Sequence, residues 1–350
     1  MKFDVVIGNP PYQGEAKKQI YTDFYLMGIN IGNTVDMIFP NGWQQPKNNN
    51  NLSKLNKKDI KEDRQIVQID NRHNAFPGVS GAEWTNIILW SRDYDNGLNG
   101  SQRILTDGDA PRIETLYTEK SSVKKPKEIQ ELSNFVNQTE KFQSVQQITS
   151  VLKPYGLRTD VIKNTSKYNL PSIQDKKLKE DDIELWTGGR SGRIIKYVPK
   201  DYPFPKISKS LYRYKVLVPY AWGNWNESAG LGGAFSDIII AFPGVATTET
   251  WQESGSFSTF EEAQKHAKYL MTKFTRSLLY LNKFSQHSTT AWGAVPTQNY
   301  QEDWWELSIE EININLFNKY NVPEYIRNFV EQNIQNKSEE NIVNFNSHIK

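Results

Sequence analysis

Asn9, Pro10, Pro11 and Tyr12 follow one another directly after the short apolar run FDVVIG. Two consecutive prolines supply no backbone N–H, and each holds φ near −65°. The corner is therefore rigid and rich in acceptors. The Asn9 side-chain oxygen and the Pro10 carbonyl can point at one spot, which suits the two protons of an NH2 group. Tyr12 adds a flat face on which a planar ring can stack, worth about 1–3 kcal/mol for a nucleobase. Together these residues describe how an exocyclic amine is held for methylation. Two acceptors draw the amino protons out of the ring plane and free the nitrogen lone pair for attack on a sulfonium methyl. No strong general base is required, so the catalytic contribution is placement and electrostatic preorganisation. A base inside a duplex must leave the stack to reach such a corner. Taken alone, the same four residues also fit an ordinary turn after a strand, since Asn-Pro and Pro-Pro are common turn dipeptides.

A site of this kind needs a buried strand behind it, because open α/β sheets bind ligands beyond the carboxyl ends of their strands. Residues 3–7 read as that strand. The spacing of Ile20, Phe24, Met27 and Ile31 predicts a helix over 18–31 that returns across the sheet. Residues 34–40, 65–70 and 85–91 read as further strands, the first of them stopped by Pro40-Asn41-Gly42. Strand, helix and strand with continuous apolar strands predict parallel βαβ units covered on both faces.

From residue 93 the texture changes to Asp, Asn, Gly and Ser, and the basic stretch 120–127 reads as a linker. A helix is expected near 127–151, then short strands with glycine turns over 183–258. Residues 259–283 read as one long helix, with Thr259 and Glu262 as a capping box and Ala263, Ala267, Leu270, Phe274 and Leu278 as its stripe. A last helix is expected near 323–336, with Pro323 in its first turn and frayed residues after it.

The chain has 350 residues, with 37% hydrophobic and 12% aromatic residues, so large rings can build the core. It has no cysteine, which excludes disulfides, thiolate zinc sites and a cysteine nucleophile. No apolar run approaches the ~20 residues of a membrane span and no signal-peptide pattern is present, so a cytoplasmic protein without a membrane partner is expected. The net charge of +2 leaves any nucleic-acid surface to local clusters such as 47–64 and 120–127, each of which fits a solvated face equally well.

FDVVIGNPPYQ (3–13) resembles the catalytic motif of the adenine-N6 DNA methyltransferases of restriction–modification systems, with Asn9, Pro10, Pro11 and Tyr12 matching position by position. The likeness continues through 21-YTDFYLMG-28, 35-VDMIFPNGW-43 and 74-NAFPGVSGAEWTNIILWSR-92, then more softly through 152–159, 272–288 and 293–304. The resemblance implies that Tyr12 and Phe76 stack on a flipped adenine. It implies an α/β fold: a partial Rossmann-like methyltransferase sheet over 1–110, followed over 111–350 by a mixed α/β target-recognition domain with C-terminal helices. It also implies S-adenosylmethionine as cofactor. In this family a glycine-rich turn that binds the cofactor normally precedes the catalytic motif. Only eight residues precede Asn9 here, and neither 229-AGLGGAF-235 nor 186-WTGGRSGR-193 has the flanks of such a site. The cofactor site is therefore expected largely outside this chain, with no cofactor-binding residue assigned. A partner polypeptide carrying it is expected too, without which the chain would be inactive.

Basic residues alternate with tyrosines in the second half, which suits duplex DNA. Arg190, Arg193, Lys206, Lys209, Arg213 and Lys215 are the candidate DNA contacts, interleaved with Tyr197, Tyr202, Tyr212 and Tyr214. The same pattern fits snorkelling cations over an aromatic core. His287 reads as a structural histidine, no cluster has metal-site spacing, and no nuclease signature stands out. Two readings remain. One is site-specific DNA adenine-N6 methylation by the catalytic and recognition half of a split or truncated enzyme. The other is a non-catalytic, sequence-specific DNA-binding module.

Overall fold

The apolar run that ends at Asn9 forms β1 (Phe3–Gly8) and leads through helix α1 (Tyr21–Ile31) to its neighbour in space, β2 (Gly32–Pro40). The two strands are parallel, with Ile7 opposite Asp36 and Gly8 opposite Met37. Alternation sorts β2 into two faces: Val35, Met37 and Phe39 are buried under α1, while Thr34, Asp36 and Ile38 face the other way. Gly28 lets the helix lie close, since a methyl there would come 2.8 Å from Met37 Cε. Tyr21 and Tyr25 of α1 pack on Phe39, the first stacked at 5.1 Å.

These are coordinates of a computed structural model, which describes residues 3–15, 19–44, 63–72, 75–76, 85–97, 101–106, 112–115, 126–189, 192–221, 236–283 and 291–344. The chain divides into two compact units, Met1–Gln130 with Asn224–Asn226, and Glu131–Gly223 with Glu227–Lys350. Among the described residues, the first unit holds a six-stranded sheet in the order β1-β2-β4-β3-β5-β6, completed by β3 (Ile66–Arg72), β4 (Thr85–Ser91), β5 (Ser101–Thr106) and β6 (Arg112–Thr115). The sheet runs on through β6, so this unit extends past residue 110, where the sequence suggested a boundary.

The expected parallel βαβ unit is present as β1–α1–β2, but it does not repeat through the rest of the sheet. β4 is antiparallel to both β2 and β3, and only the β1–β2 and β3–β5 pairs are parallel. A parallel return from β3 would need a long crossover, normally helical, whereas residues 73–84 carry Pro77, Gly78 and Gly81. Coverage on both faces does not hold for β1 either. Phe3, Val5 and Ile7 share the Asp36 face and are 51%, 58% and 75% exposed.

Helix α2 (Lys127–Thr139) starts in the first unit and continues into the second, whose next helix is α3 (Val145–Ile148). The single helix expected over 127–151 is broken there, because Ser144 and Gln147 close a capping box that starts α3 anew. A three-stranded sheet, β11-β7-β8, uses β7 (Ile183–Gly189), β8 (Gly192–Val198) and β11 (Val245–Thr247). A four-stranded one, β12-β9-β10-β13, uses β9 (Tyr214–Pro219), β10 (Ile238–Ala241), β12 (Trp251–Phe257) and β13 (Ile342–Asn344). The residues before the C-terminus expected to fray thus include a strand that pairs with β10.

Residues 259–283 form two helices, α4 (Phe260–Met271) and α5 (Lys273–Leu281). Thr272 stands between them in extended conformation, its hydroxyl accepting from Thr275 N at 3.2 Å, so a β-branched residue within the apolar stripe caps a second helix. At the start of α4, Thr259 accepts from Glu262 N at 3.2 Å, while the Glu262 carboxylate reaches Ser258 N. Helices α6 (Ile309–Lys319) and α7 (Glu324–Asn333) complete the unit, with Pro323 as the N-cap of α7.

Candidate active site

β1 delivers the Asn9 corner. Strand pairing stops at Gly8, and Asn9 emerges exposed immediately beyond it. Pro10 is buried and pins the corner; Pro11 is exposed. Tyr12 is half-buried, packed against the first unit's core, with its ring edge-on to Tyr21 at 6.5 Å. Its carbonyl accepts from Ile20 N at 3.4 Å, and a Gln13–Gln19 bridge closes the loop that follows. The Tyr12 hydroxyl is buried with no hydrogen-bond partner among the described residues. Burial pushes its pKa up, and the nearby Asn9 side chain acts the other way. The ring, then, is the part of Tyr12 that can serve a ligand.

β1, β2 and β3 all run in one sense, because β2 and β3 are each antiparallel to β4. Their carboxyl ends share one edge of the sheet. Asn9–Tyr12 lies beyond β1, a 3-10 turn (Asn41–Gln44) beyond β2, and Phe76, half-buried at a bend, beyond β3. β1 and β3 stand three strand spacings apart, roughly 14 Å, and the four residues from Arg72 to Phe76 can span roughly 13 Å. Topology brings Phe76 to the same edge as Tyr12.

The sequence did not reveal what stiffens this edge. Asn41, Asp70, Asn71, Thr85 and Asn86 are buried along it. Trp43, fully buried, donates Nε1 to Asn86 Oδ1 at 2.7 Å, and Arg72 forks onto Asp70 at 2.8 and 2.6 Å. The signal was present as polar residues at inward positions of 66–72 and 85–91, where only apolar ones are expected of a sheet core. Asp36, on the opposite face, has its pKa raised by burial.

For S-adenosylmethionine, the described residues at the corner do not make a complete site. β1 has a neighbour on one side only among the described residues, and the face it shows there is apolar and open. No group of three His, Asp or Glu side chains among the described residues could hold a metal.

The candidate DNA contacts separate on inspection. Lys206, Lys209 and Arg213 are exposed, along with Tyr212, on the stretch 206–213; Arg213 also donates to Ser258 Oγ at 2.7 Å. Arg193 has its backbone in β8 opposite Gly188. Arg190, His287 and the glycine run 229–235 lie outside the described residues. Lys215 is not a surface residue: it points inward from β9, fully buried, with Glu253 Oε1 at 3.4 Å and the Val245 and Ser210 carbonyls at 2.5 and 3.0 Å. Its place beside Arg213 and Tyr214 concealed that β9 is buried on both faces from residue 215 to 218. Tyr202 likewise belongs to the core, donating its hydroxyl to Pro171 O.

Known proteins can be set beside this geometry. Residues 1–76 match the family described as Eco57I restriction-modification methylase. The matched part carries the Asn9–Tyr12 corner, α1, β2 and Phe76. An uncharacterized adenine-specific methylase of Mycoplasma pneumoniae (strain ATCC 29342 / M129 / Subtype 1) is 44% identical over 127 residues, 33% of this chain and 30% of that protein. The chain thus spans under a third of this curated relative. Among solved structures, the type IIL restriction-modification enzyme MmeI in complex with DNA aligns at TM-score 0.44 and 11% identity, over 92% of this chain and 50% of that one. The type IIG restriction endonuclease BpuSI aligns at TM-score 0.33 and 10% identity, over 90% and 45%. At such scores the fold has to be judged on its own elements. Among the described residues no helix is long and apolar enough to cross a membrane.

Proposed function

We propose that this chain is the catalytic and target-recognition part of a restriction–modification methyltransferase that methylates adenine N6 in duplex DNA. The observation that carries the reading is Asn9, exposed at the carboxyl end of β1 in a corner pinned by Pro10, inside the segment that matches the methylase family. Asn9 Oδ1 and the Pro10 carbonyl accept the two protons of the amine, and Tyr12 and Phe76 supply stacking faces to the flipped base. S-adenosylmethionine, when bound, supplies an activated methyl group. The corner's own part is to orient the amine and bare its lone pair.

The open edge of β1, with Phe3, Val5 and Ile7 uncovered, supports a further polypeptide on that side, carrying the cofactor site. An unpaired apolar edge is an aggregation hazard unless covered. That polypeptide is either another segment of a longer protein or a separate chain. Lys206, Lys209 and Arg213, with Arg193 on β8 and with Arg190, are the proposed phosphate and groove contacts.

The test is to map N6-methyladenine in the genome of cells carrying the native gene, a deletion, and Asn9→Ala. The reading predicts one sequence motif that is methylated with the native gene and bare in both variants. A motif that stays methylated with Asn9→Ala, or that carries N4-methylcytosine instead, refutes it.

A further inference from the structure

The second unit contains a cavity of about 520 Å3 between α5, the start of α6, α7 and residues 336–341. Its volume falls within the usual range for small-molecule sites. Three cations line it: Lys273, Arg276 and Lys337. Lys273 is neutralised by Glu331, whose carboxylate lies 2.6 Å from its ammonium and also accepts from Asn313 Nδ2. The other two have no close ion pair among the described residues; Glu331 acts on Arg276, and Asp237 on Lys337, from farther off. Arg276 is only 6% exposed, yet has no carboxylate within 4 Å among the described residues. Its Nε donates to Met271 O and its Nη2 to Gln335 O, leaving Nη1 without an acceptor there. Lys337 has neither a hydrogen bond nor an ion pair among the described residues.

Two like charges kept close and unpaired are costly unless something anionic joins them. Burial, and then the neighbouring Arg276 charge, pull the Lys337 ammonium down, with Asp237 acting the other way. The remaining lining mixes the apolar side chains of Met271 and Ile309 with Asn336, Ser338, Asn341 and the exposed carboxylate of Glu310. A guanidinium nitrogen and an ammonium with free donors in one cavity suit a phosphate better than a carboxylate, because a phosphate presents more oxygens and more charge.

We infer that this cavity binds a phosphate group, held by Arg276 Nη1 and Lys337 Nζ. Its size leaves room for an attached nucleoside. The inference concerns the second unit alone and stands whether or not the Asn9 corner transfers a methyl group. The phosphate has two possible sources, a free mononucleotide or a backbone phosphate of the DNA.

The experiment titrates inorganic phosphate, adenosine 5′-monophosphate and a duplex oligonucleotide into the purified full chain and into Lys337→Gln. Lys337 is half-buried and makes no hydrogen bond or ion pair among the described residues, so the substitution leaves the fold intact, which the unliganded Tm verifies. Arg276→Lys serves as a second variant that keeps the charge and loses the fork. A free-nucleotide site predicts binding of the monophosphate that weakens at least about ten-fold in Lys337→Gln. A DNA-phosphate site predicts no measurable binding of either small phosphate, but duplex binding that weakens in Lys337→Gln, with the salt slope reduced by about one. If neither phosphate probe binds and duplex affinity and salt slope are the same in wild type and both variants, the inference is overturned. Phosphate binding equally tight in all three proteins overturns it as well.

Discussion

Lys215→Met separates the surface role suggested by its neighbours from the buried role it has. The methionine roughly fills the space of the lysine chain and removes only the charge and its donors. Left behind is Glu253, 1% exposed, which keeps hydroxyl donors at 2.8 Å (Ser208), 2.5 Å (Ser210) and 3.2 Å (Thr247). Breaking a buried ion pair by removing one partner destabilises by about 3–5 kcal/mol. Three surviving donors put this case at the lower end, about 3 kcal/mol, or roughly a hundred-fold in the folding equilibrium. Adding Glu253→Gln removes the stranded charge and restores more than half of the loss. Urea unfolding followed by tryptophan fluorescence reads both variants, and DNA affinity is measured below the unfolding range. A single-variant loss under about 1 kcal/mol, or a fall in DNA affinity with stability unchanged, refutes the buried-pair reasoning.

Tyr12→Phe retains methyl transfer within about threefold, because among the described residues the buried hydroxyl makes no hydrogen bond of ordinary geometry, whereas Tyr12→Ala loses about 1–3 kcal/mol of stacking. Steady-state transfer rates check this, and a Phe variant as impaired as the Ala variant contradicts it. His266 is buried between Ser254 Oγ at 2.8 Å and Tyr300 OH at 2.6 Å, and burial lowers its pKa from 6.5 to about 3. The unfolded chain therefore binds the extra proton between those values. Stability contributed here is present above pH 6.5 and is lost as pH falls toward 3, by at most about 1.4 kcal/mol per unit. Tm measured from pH 7 to 4 should fall less steeply in His266→Gln than in the wild type; equal slopes contradict the assignment.

What the sequence made legible was local. The strand before Asn9 and the strand over 85–91 follow from apolar runs, and the structure has them in place. Strand direction was not legible, since the sense of β4 is set by a connection without helical period and not by β4's own residues. Helix breaks at Thr272 and Ser144 were missed because a side-chain cap can override an unbroken apolar stripe. Lys215 was misjudged for a related reason: charge pattern says nothing of which strand positions face a polar pocket, and a Glu253 distant in sequence provides one. The Trp43–Asn86 bond that stiffens the candidate site joins residues far apart in the chain, so no spacing rule announces it.

The role proposed for the Asn9 corner is to orient an adenine amine. Its most direct test is single-turnover methyl transfer to a duplex bearing the mapped site, by the protein together with whatever polypeptide completes it. Wild type and Asn9→Ala are compared, with DNA affinity measured in parallel. Loss of the acceptor predicts transfer slower by about 10²-fold or more, with DNA binding unchanged within about twofold. Transfer at the wild-type rate in Asn9→Ala contradicts the claim, and so does a loss of transfer matched by an equal loss of DNA affinity.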